Sequence, residues 1–281
     1  RNVAQFNDGP LDVEGTLSFF PQDWRLLGFA LGSIATTSGT AQADNYLHTL
    51  NEVNSDTRQN AFTSGPLNPF ISFTVEESRT GNVADKNSMR TIKGCNVNTY
   101  TMTIAQGEPV SVEVGFVGQS GSWFSGATTA VTAGSNRPFL WSDATVSVPG
   151  GTTQSTAKEV VFTVNNNFEA PHYINGSRVP DVPYPLNREY TLEVTQDMTS
   201  TSIGSLYQTY FKGGSIFNAT VDLNNTVNTG SHHLILALSG CRITEMSSPA
   251  EIESVNELSY TIVAGSASAL AHDRLPLYTS F

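Results

Sequence analysis

The strongest constraint on the fold is an alternation of apolar and polar residues on both sides of one tight turn. In "GCNVNTYTMTIAQGEPVSVEVGFVG", Tyr100, Met102 and Ile104 alternate with threonines before the turn at residues 107–109. After the turn, valines and a phenylalanine occupy every second position over residues 110–116. Because side chains two residues apart share one face of a strand, this stretch predicts a β-hairpin with one buried and one exposed face.

The composition extends this expectation to the whole chain. Only 14% of the 281 residues are charged, while 38% are hydrophobic and threonine, serine, asparagine and glycine are abundant. This profile favours an all-β protein with many turns. It also suits a surface that partners bury, because charged residues are depleted at interface cores. The net charge of −11 is opposite in sign to that of proteins that grip nucleic acid.

The same order of predicted elements occurs twice. In each half a strand is followed by a short helix, two strands and a closing strand or hairpin. The first set lies at 13–20, 21–34, 45–53, 70–78 and 94–118, and the second at 188–196, 203–214, 217–225, 232–246 and 257–265. Gly94-Cys95 in the first half has a counterpart in Gly240-Cys241. A further hairpin over residues 139–168 has no equivalent in the first half.

This recurrence predicts an internal duplication of two β-sandwich or barrel-like folds with short flanking helices. We expect the first fold over residues 1–125 and the second over 136–281, joined by a Gly/Ser/Thr-rich connector at 126–135. The helices need an apolar surface to cover. Their expected core contacts are Trp24, Leu27, Leu206 and Tyr210.

The motifs of catalysis and metal binding are missing from the sequence. The five histidines and two cysteines form no HExxH or CxxC pattern, and there is no nucleophile elbow or phosphate-binding loop. A paired-carboxylate glycosidase stays open on spacing alone. The sequence therefore predicts no enzyme, no cofactor and no metal. No run approaches the ~20 apolar residues of a membrane span, and with no visible signal peptide we expect synthesis in the cytoplasm. Whether Cys95 and Cys241 pair is left open.

Taken in order, several stretches resemble the tail tube proteins of long-tailed bacterial and archaeal viruses. They are "VEGTLSFFPQDWRLLGFALGSI", "YLHTL", "FISFTVEE", the hairpin quoted above and "KEVVFTVNNNF" with "NREYTLEVTQDM". The resemblance implies a β-sandwich or open barrel with a flanking helix. Single-copy members of that family form hexameric rings that stack, and their inner strands build one barrel around a channel for DNA.

For a chain with two such folds, the resemblance implies a homotrimeric ring with pseudo-sixfold symmetry. Its partners would be further copies of itself, other tail proteins at the tube ends and double-stranded DNA in passage. Its place would be the virion tail, assembled in the host cytoplasm. The residues alone leave a second reading open, a soluble β-sandwich module that binds carbohydrate or mediates adhesion.

Two groups of residues are candidates for these roles. Strand carboxylates that alternate with buried residues are candidates for a channel wall that repels DNA: Glu113, Glu159 and Asp222. The long loop at 169–186 is predicted to contact an adjacent ring or subunit, because its prolines reduce the entropy lost on docking and its tyrosines can anchor an interface. The candidate contact residues in it are Pro171, Tyr173, Pro180, Pro183 and Tyr184.

Overall fold

A computed structural model of the chain confirms the predicted fold class: the protein is mostly β-structure with short helices. The structure describes residues 12–38, 46–53, 70–78, 89–124, 137–149, 151–174, 177–198, 202–225, 232–248 and 256–273. The predicted connector at 126–135 lies outside the described residues.

The strands are short except for two, β5 and β14, which run for 17 and 16 residues. In chain order the strands are β1 (Val13–Phe19), β2 (Gly32–Ser38), β3 (Tyr46–Glu52), β4 (Phe73–Ser78), β5 (Met89–Ala105), β6 (Ser111–Gly118), β7 (Ser120–Phe124), β8 (Ala144–Ser147), β9 (Ala157–Asn165), β10 (Phe168–Glu169), β11 (Tyr184–Pro185), β12 (Glu189–Asp197), β13 (Phe217–Asn225), β14 (His232–Ser247), β15 (Glu257–Ala264) and β16 (Ser266–Asp273).

The first helix, α1 (Arg25–Leu31), is half as long as the predicted segment at 21–34, since it begins only at Arg25 and Gly32 ends it. Gly32 has a φ of 101°, a left-handed conformation that glycine adopts without strain, and β2 begins at that residue. Trp24 precedes the helix and packs against Phe139, with 5.1 Å between ring centroids. Leu27 is completely buried. The helix therefore turns its apolar residues into the core.

The second helical segment is irregular. A single α-helical turn, α2 (Ser202–Ser205), continues as a π-helix over Leu206–Lys212. Leu206 is buried, whereas Tyr210 is half-buried and meets the ring of Phe217 edge-on at 5.2 Å. One side of this helical segment thus packs on the core, and its other side is exposed.

Seven strands form an antiparallel sheet, here called the central sheet. Their order is β1-β6-β5-β9-β12-β15-β14. The predicted halves share this sheet, because β9 pairs with β5 on one side and with β12 on the other. Each of the six steps is antiparallel. As a result, the two outermost strands, β1 and β14, run in the same direction.

The two long strands leave the central sheet at matching glycines. Gly94 in β5 and Gly240 in β14 both have a φ of 66°. Before the glycine, β5 pairs with β4 and β7, and β14 pairs with β13 and β16. After it, each pairs with the strand that follows the next turn, β6 or β15. In both strands the cysteine after the glycine, Cys95 or Cys241, lies opposite a phenylalanine of the neighbouring strand.

The remaining strands and α1 pack over one face of the central sheet. Phe73 of β4 lies between Phe29 of α1 and Phe116 of β6, with ring centroids 5.7 and 6.0 Å away. β16 continues through β3 to β2, and these last two strands contact α1. β13 pairs with both β14 and β8. A single cluster of buried side chains runs through both sequence halves. The fold therefore has one core, with one face of the central sheet turned away from it.

Both cysteines are buried free thiols. Burial raises the pKa of each to about 11, and a hydrogen bond from the backbone of Val75 or Ala219 offsets part of that rise. A thiol with so high a pKa stays protonated at neutral pH and is a poor nucleophile. The structure thus settles the state of Cys95 and Cys241: they act as small apolar core residues.

The stability of the fold is expected to fall in mildly acidic solution, through His272 on β16. Burial lowers the pKa of His272 below 6.5, and the nearby His233 and His48 lower it further, while Asp273 raises it in part. A histidine with a lowered pKa takes up its proton more readily in the unfolded chain, so stability is lost as the pH falls through 6.5.

We therefore expect the urea midpoint to decrease between pH 7.5 and 5.5, and to decrease less in His272→Gln. Ser268→Gln, a change on the same strand and face, should keep the full decrease. An identical pH profile for wild type and His272→Gln would contradict the assignment.

Candidate functional site

The face of the central sheet that points away from the core is lined mainly by hydroxyl groups. We call it the polar face. Neighbouring strands present threonines and serines in rows across it. The hydroxyl oxygens of Thr101 and Thr163 are 3.4 Å apart, and those of Thr195 and Ser259 are 3.0 Å apart. Such side chains are small and uncharged, so the face is smooth and hydrated.

Carboxylates are the main charges on the polar face. Glu113 lies between Ser18 and Thr101 of the adjacent strands, and Glu159 lies opposite Thr195. The exposed acidic residues at outward-facing positions are Glu14, Glu113, Glu159, Glu189, Glu193 and Glu245. Arg242 is the basic residue at an outward position of these strands. Six carboxylates and one guanidinium give this set a net charge of −5.

A separate ion-pair cluster at one end of the face carries little free charge. Lys158 Nζ lies 2.6 Å from Asp197 and 2.7 Å from Glu257. Its hydrogen bonds, first to Asp197 and then to Glu257, raise the pKa of Lys158. One ammonium and two carboxylates leave this cluster with a net charge of −1, the same sign as the set of exposed acids and Arg242 elsewhere on the face.

Of the three predicted wall acids, two lie together and one lies apart. Glu113 and Glu159 are both on the polar face, on strands separated only by β5. Asp222 is on β13, outside the central sheet, and its carboxylate is 2.7 Å from Nε2 of His233.

Four of the six acids on the face were not predicted. Applying the same two-residue period to β1 and β12 would have found Glu14, Glu189 and Glu193. It would not have found Glu245, because a bulge between Ile243 and Glu245 turns this residue outward against the period of β14.

The central sheet has two open edges among the described residues. No described strand pairs with the outer side of β1, or with the outer side of β14 beyond Cys241, which lies opposite Phe217 of β13. Open strand edges present unpaired backbone N–H and C=O groups and are templates for pairing with another chain. Inside the chain, the comparable edge of β5 is covered by β9. The two open edges are therefore candidate assembly surfaces.

The predicted contact loop folds into an arm at one end of the central sheet. β10 and β11 pair at its base, and the N–H of Asp181 donates to the carbonyl of Pro171 across it, at 2.9 Å. His172 Nε2 lies 2.8 Å from the carboxylate of Asp12, just before β1. These contacts hold the arm against the start of the first sequence half.

The predicted contact residues of the arm divide into a buried base and an exposed tip. Pro180 and Pro183 are buried, and Pro171 and Tyr184 are half-buried. Tyr173 is 56% exposed, and Ile174, which the sequence argument did not single out, is fully exposed. The prolines stiffen the arm, and its apolar tip is left in solvent.

The described part of the chain offers no obvious centre for chemistry. No group of three or more His, Cys, Asp and Glu side chains in it is placed to hold a metal ion. None of the described helices is both long and apolar enough to cross a membrane. The features that stand out are surfaces: a polar face, two open edges and an exposed apolar tip.

Comparison with protein families indicates the kind of protein to which these surfaces belong. A model of the phage tail tube protein family matches residues 1–266, nearly the whole chain. The chain belongs to the phage tail tube protein family. A comparison with curated protein sequences finds no significant match.

Membership confirms the resemblance seen in the sequence. Proteins of this tail tube family are structural and not enzymatic, so the chain is a structural subunit of a virion tail. A tube subunit must assemble with copies of itself and meet other tail proteins. The open edges, and the low proportion of charged residues, are what such a subunit requires.

Proposed function

We propose that three copies of this tail tube protein close into a ring with pseudo-sixfold symmetry, and that the rings stack into a hollow tube that conducts double-stranded DNA during genome ejection. The observation that carries the proposal is the pair of open edges on the central sheet, at β1 and at β14. Contact between β14 of one copy and the β1 side of the next would continue the sheet from chain to chain. Closed cyclic symmetry then leaves no edge unpaired.

The matched geometry of the two sequence halves supports three chains per ring. β5 and β14 kink at corresponding glycines, and the cysteine after each glycine faces a phenylalanine of the next strand. The turns after β6 and β15 also match, because Gln119 N–H donates to the carbonyl of Lys93 and Gly265 N–H to that of Ser239. Two similar units per chain, taken three times, give the six units of a hexameric ring.

In this arrangement the polar face lines the channel. The core and the covering strands occupy the opposite side of the central sheet, so of the two faces of this sheet the polar face is the one that can be turned to a wet lumen while the core stays buried. The exposed acids and Arg242 of the polar face sum to −5 in each chain, so three chains bring −15 from this set to each ring of wall. Phosphates bind to lysine and arginine, so an acidic wall disfavours adhesion of the duplex and lets it slide.

Native mass spectrometry and electron microscopy of the purified protein test this proposal. We expect a species of three chains, each of 30.2 kDa, and ring projections with six similar lobes. At higher protein concentration the same sample should give tubes. A ring of six chains would overturn the trimeric arrangement, and monomers that form neither rings nor tubes at any concentration would overturn the assembly as a whole.

The arm is proposed to connect adjacent rings. Deletion of residues 173–183 removes the exposed tip and leaves the paired bases at β10 and β11 close together. We expect rings of normal mass that fail to stack, measured by sedimentation and electron microscopy. Replacing the same residues with a glycine-serine segment of equal length is the matched control for chain length and should fail in the same way. Tubes of normal length from either variant would leave the arm without a role in stacking.

A further inference from the structure

An apolar hollow lies where β1 leads into α1. It has a volume of about 350 Å³, at the low end of the ~300–1,000 Å³ range of binding pockets. Its apolar lining consists of Phe19, Phe20, Leu26 and Phe29. Phe20 is 55% exposed, so the ring of this residue is accessible to a partner.

The hollow and the tip of the arm lie at opposite ends of the central sheet. β1 begins beside the end of β6 and finishes at Phe19, opposite Val112 near the start of β6. The arm leaves from the end of β9 at Asn165, which lies level with Thr16 in the middle of β1 through Thr99 and Gly115. It then reaches past the start of β1, where His172 contacts Asp12. Seven residues of chain, about 20 Å, separate Asp12 from Phe19 along the sheet.

We propose that the tip of the arm, Tyr173 and Ile174, inserts into the hollow beside Phe20 of a second copy of this chain in the adjacent ring. This inference rests on the proposed stacking of rings. Each chain carries one tip at one end and one hollow at the other. A head-to-tail contact of this kind repeats without closing, which is the geometry of a filament.

The charges around the two surfaces are mixed. The arm carries Arg178 together with Glu169 and Asp181. On the rim of the hollow, the carboxylate of Asp23 is 2.8 Å from the guanidinium of Arg25. The proposed contact therefore depends on the apolar side chains and not on charge.

The area buried by one tip is too small for a stable interface, so the second copy that binds it is expected to be part of a ring. A tyrosine buries about 150–250 Å², so a tip of one tyrosine and one isoleucine buries roughly 600 Å² when both partners are counted. A stable interface needs ~1,200–2,000 Å², and three tips acting together reach about 1,800 Å². Single chains should therefore not pair through this contact, whereas complete rings should.

Cysteine cross-linking tests the contact directly. In the double variant Phe20→Cys with Ile174→Cys, oxidation of assembled tubes should join chains of different rings, so that denatured samples contain covalent species longer than three chains. The native thiols are buried and do not compete. Ile216→Cys with Ile174→Cys, which uses another isoleucine that is 58% exposed, should give no such ladder.

The outcomes separate this inference from the proposed function. Tubes that form but do not cross-link at Phe20→Cys with Ile174→Cys, or that cross-link only within three chains, would overturn the docking and leave the tube intact. Absence of tubes from the unmodified protein would overturn both. As a second measurement, Ile174→Asp should raise the protein concentration needed for tube growth at least about tenfold, since even one buried apolar side chain is worth that factor.

Discussion

Leu27→Asp should abolish assembly because it prevents the chain from folding. Leu27 is fully buried beneath α1, in the cluster that joins both sequence halves. Loss of a buried leucine side chain costs roughly 2–5 kcal/mol, and the introduced carboxylate adds the cost of removing a charge from water. Total stabilities are only ~5–15 kcal/mol. We expect insoluble protein, or a soluble chain without a cooperative thermal transition in circular dichroism.

Leu186→Asp is the matched control, because it makes the same chemical change at a leucine that is 41% exposed. It should shift the melting temperature little. If Leu27→Asp melts cooperatively near the wild-type temperature and forms normal tubes, the position assigned to α1 in the core is wrong.

Reversal of charge on the polar face should slow genome ejection. Each of Glu113→Lys and Glu159→Lys changes the face by two charges, so the double variant takes the set of exposed acids and Arg242 from −5 to −1 per chain. The new ammonium groups can contact phosphates and release counterions, an attraction that weakens steeply with salt. We expect virions that assemble and then eject several-fold more slowly at low salt, with the normal rate returning at high salt because charges are screened over a shorter distance.

Two further reversals locate the effect. Glu76→Lys is an equal change at an exposed residue of β4, outside the central sheet, and should eject normally. Asp222→Lys asks whether the sheet containing β13 also faces DNA, as the sequence analysis predicted for that residue. A normal ejection rate at low salt for both Glu113→Lys and Glu159→Lys would falsify the assignment of the polar face to the channel.

Local patterns in the sequence were sufficient for most strands, since a period of two residues reports which side chains a strand buries. Strands with weaker alternation were missed. β2 was missed because Ala35 is small and residues 36–38 are polar, so the alternation in it is weak. β16 was missed because Ala267, Ala269 and Ala271 are buried yet small, so the apolar contrast with their neighbours is low.

Long-range pairing lay beyond the sequence argument. Nothing in the local pattern of β9 indicates that it binds both β5 and β12, or that β3 pairs with β16 across more than 200 residues. The same limit explains the candidate wall. Alternation identified Glu113, Glu159 and Asp222 as outward-facing. It could not show which sheet each residue belongs to, because sheet membership depends on contacts between distant parts of the chain.

The parallel direction of β1 and β14 has a mechanical consequence for a ring. Within a chain, every neighbouring pair in the central sheet is antiparallel, whereas a direct junction between copies would be parallel, and parallel pairing is slightly less stable per residue. Such a ring would alternate three stronger joints inside chains with three weaker joints between them. Under outward strain the ring would open at the junctions between chains and separate into three intact chains. Its mechanical strength would therefore have threefold symmetry, although its shape has apparent sixfold symmetry.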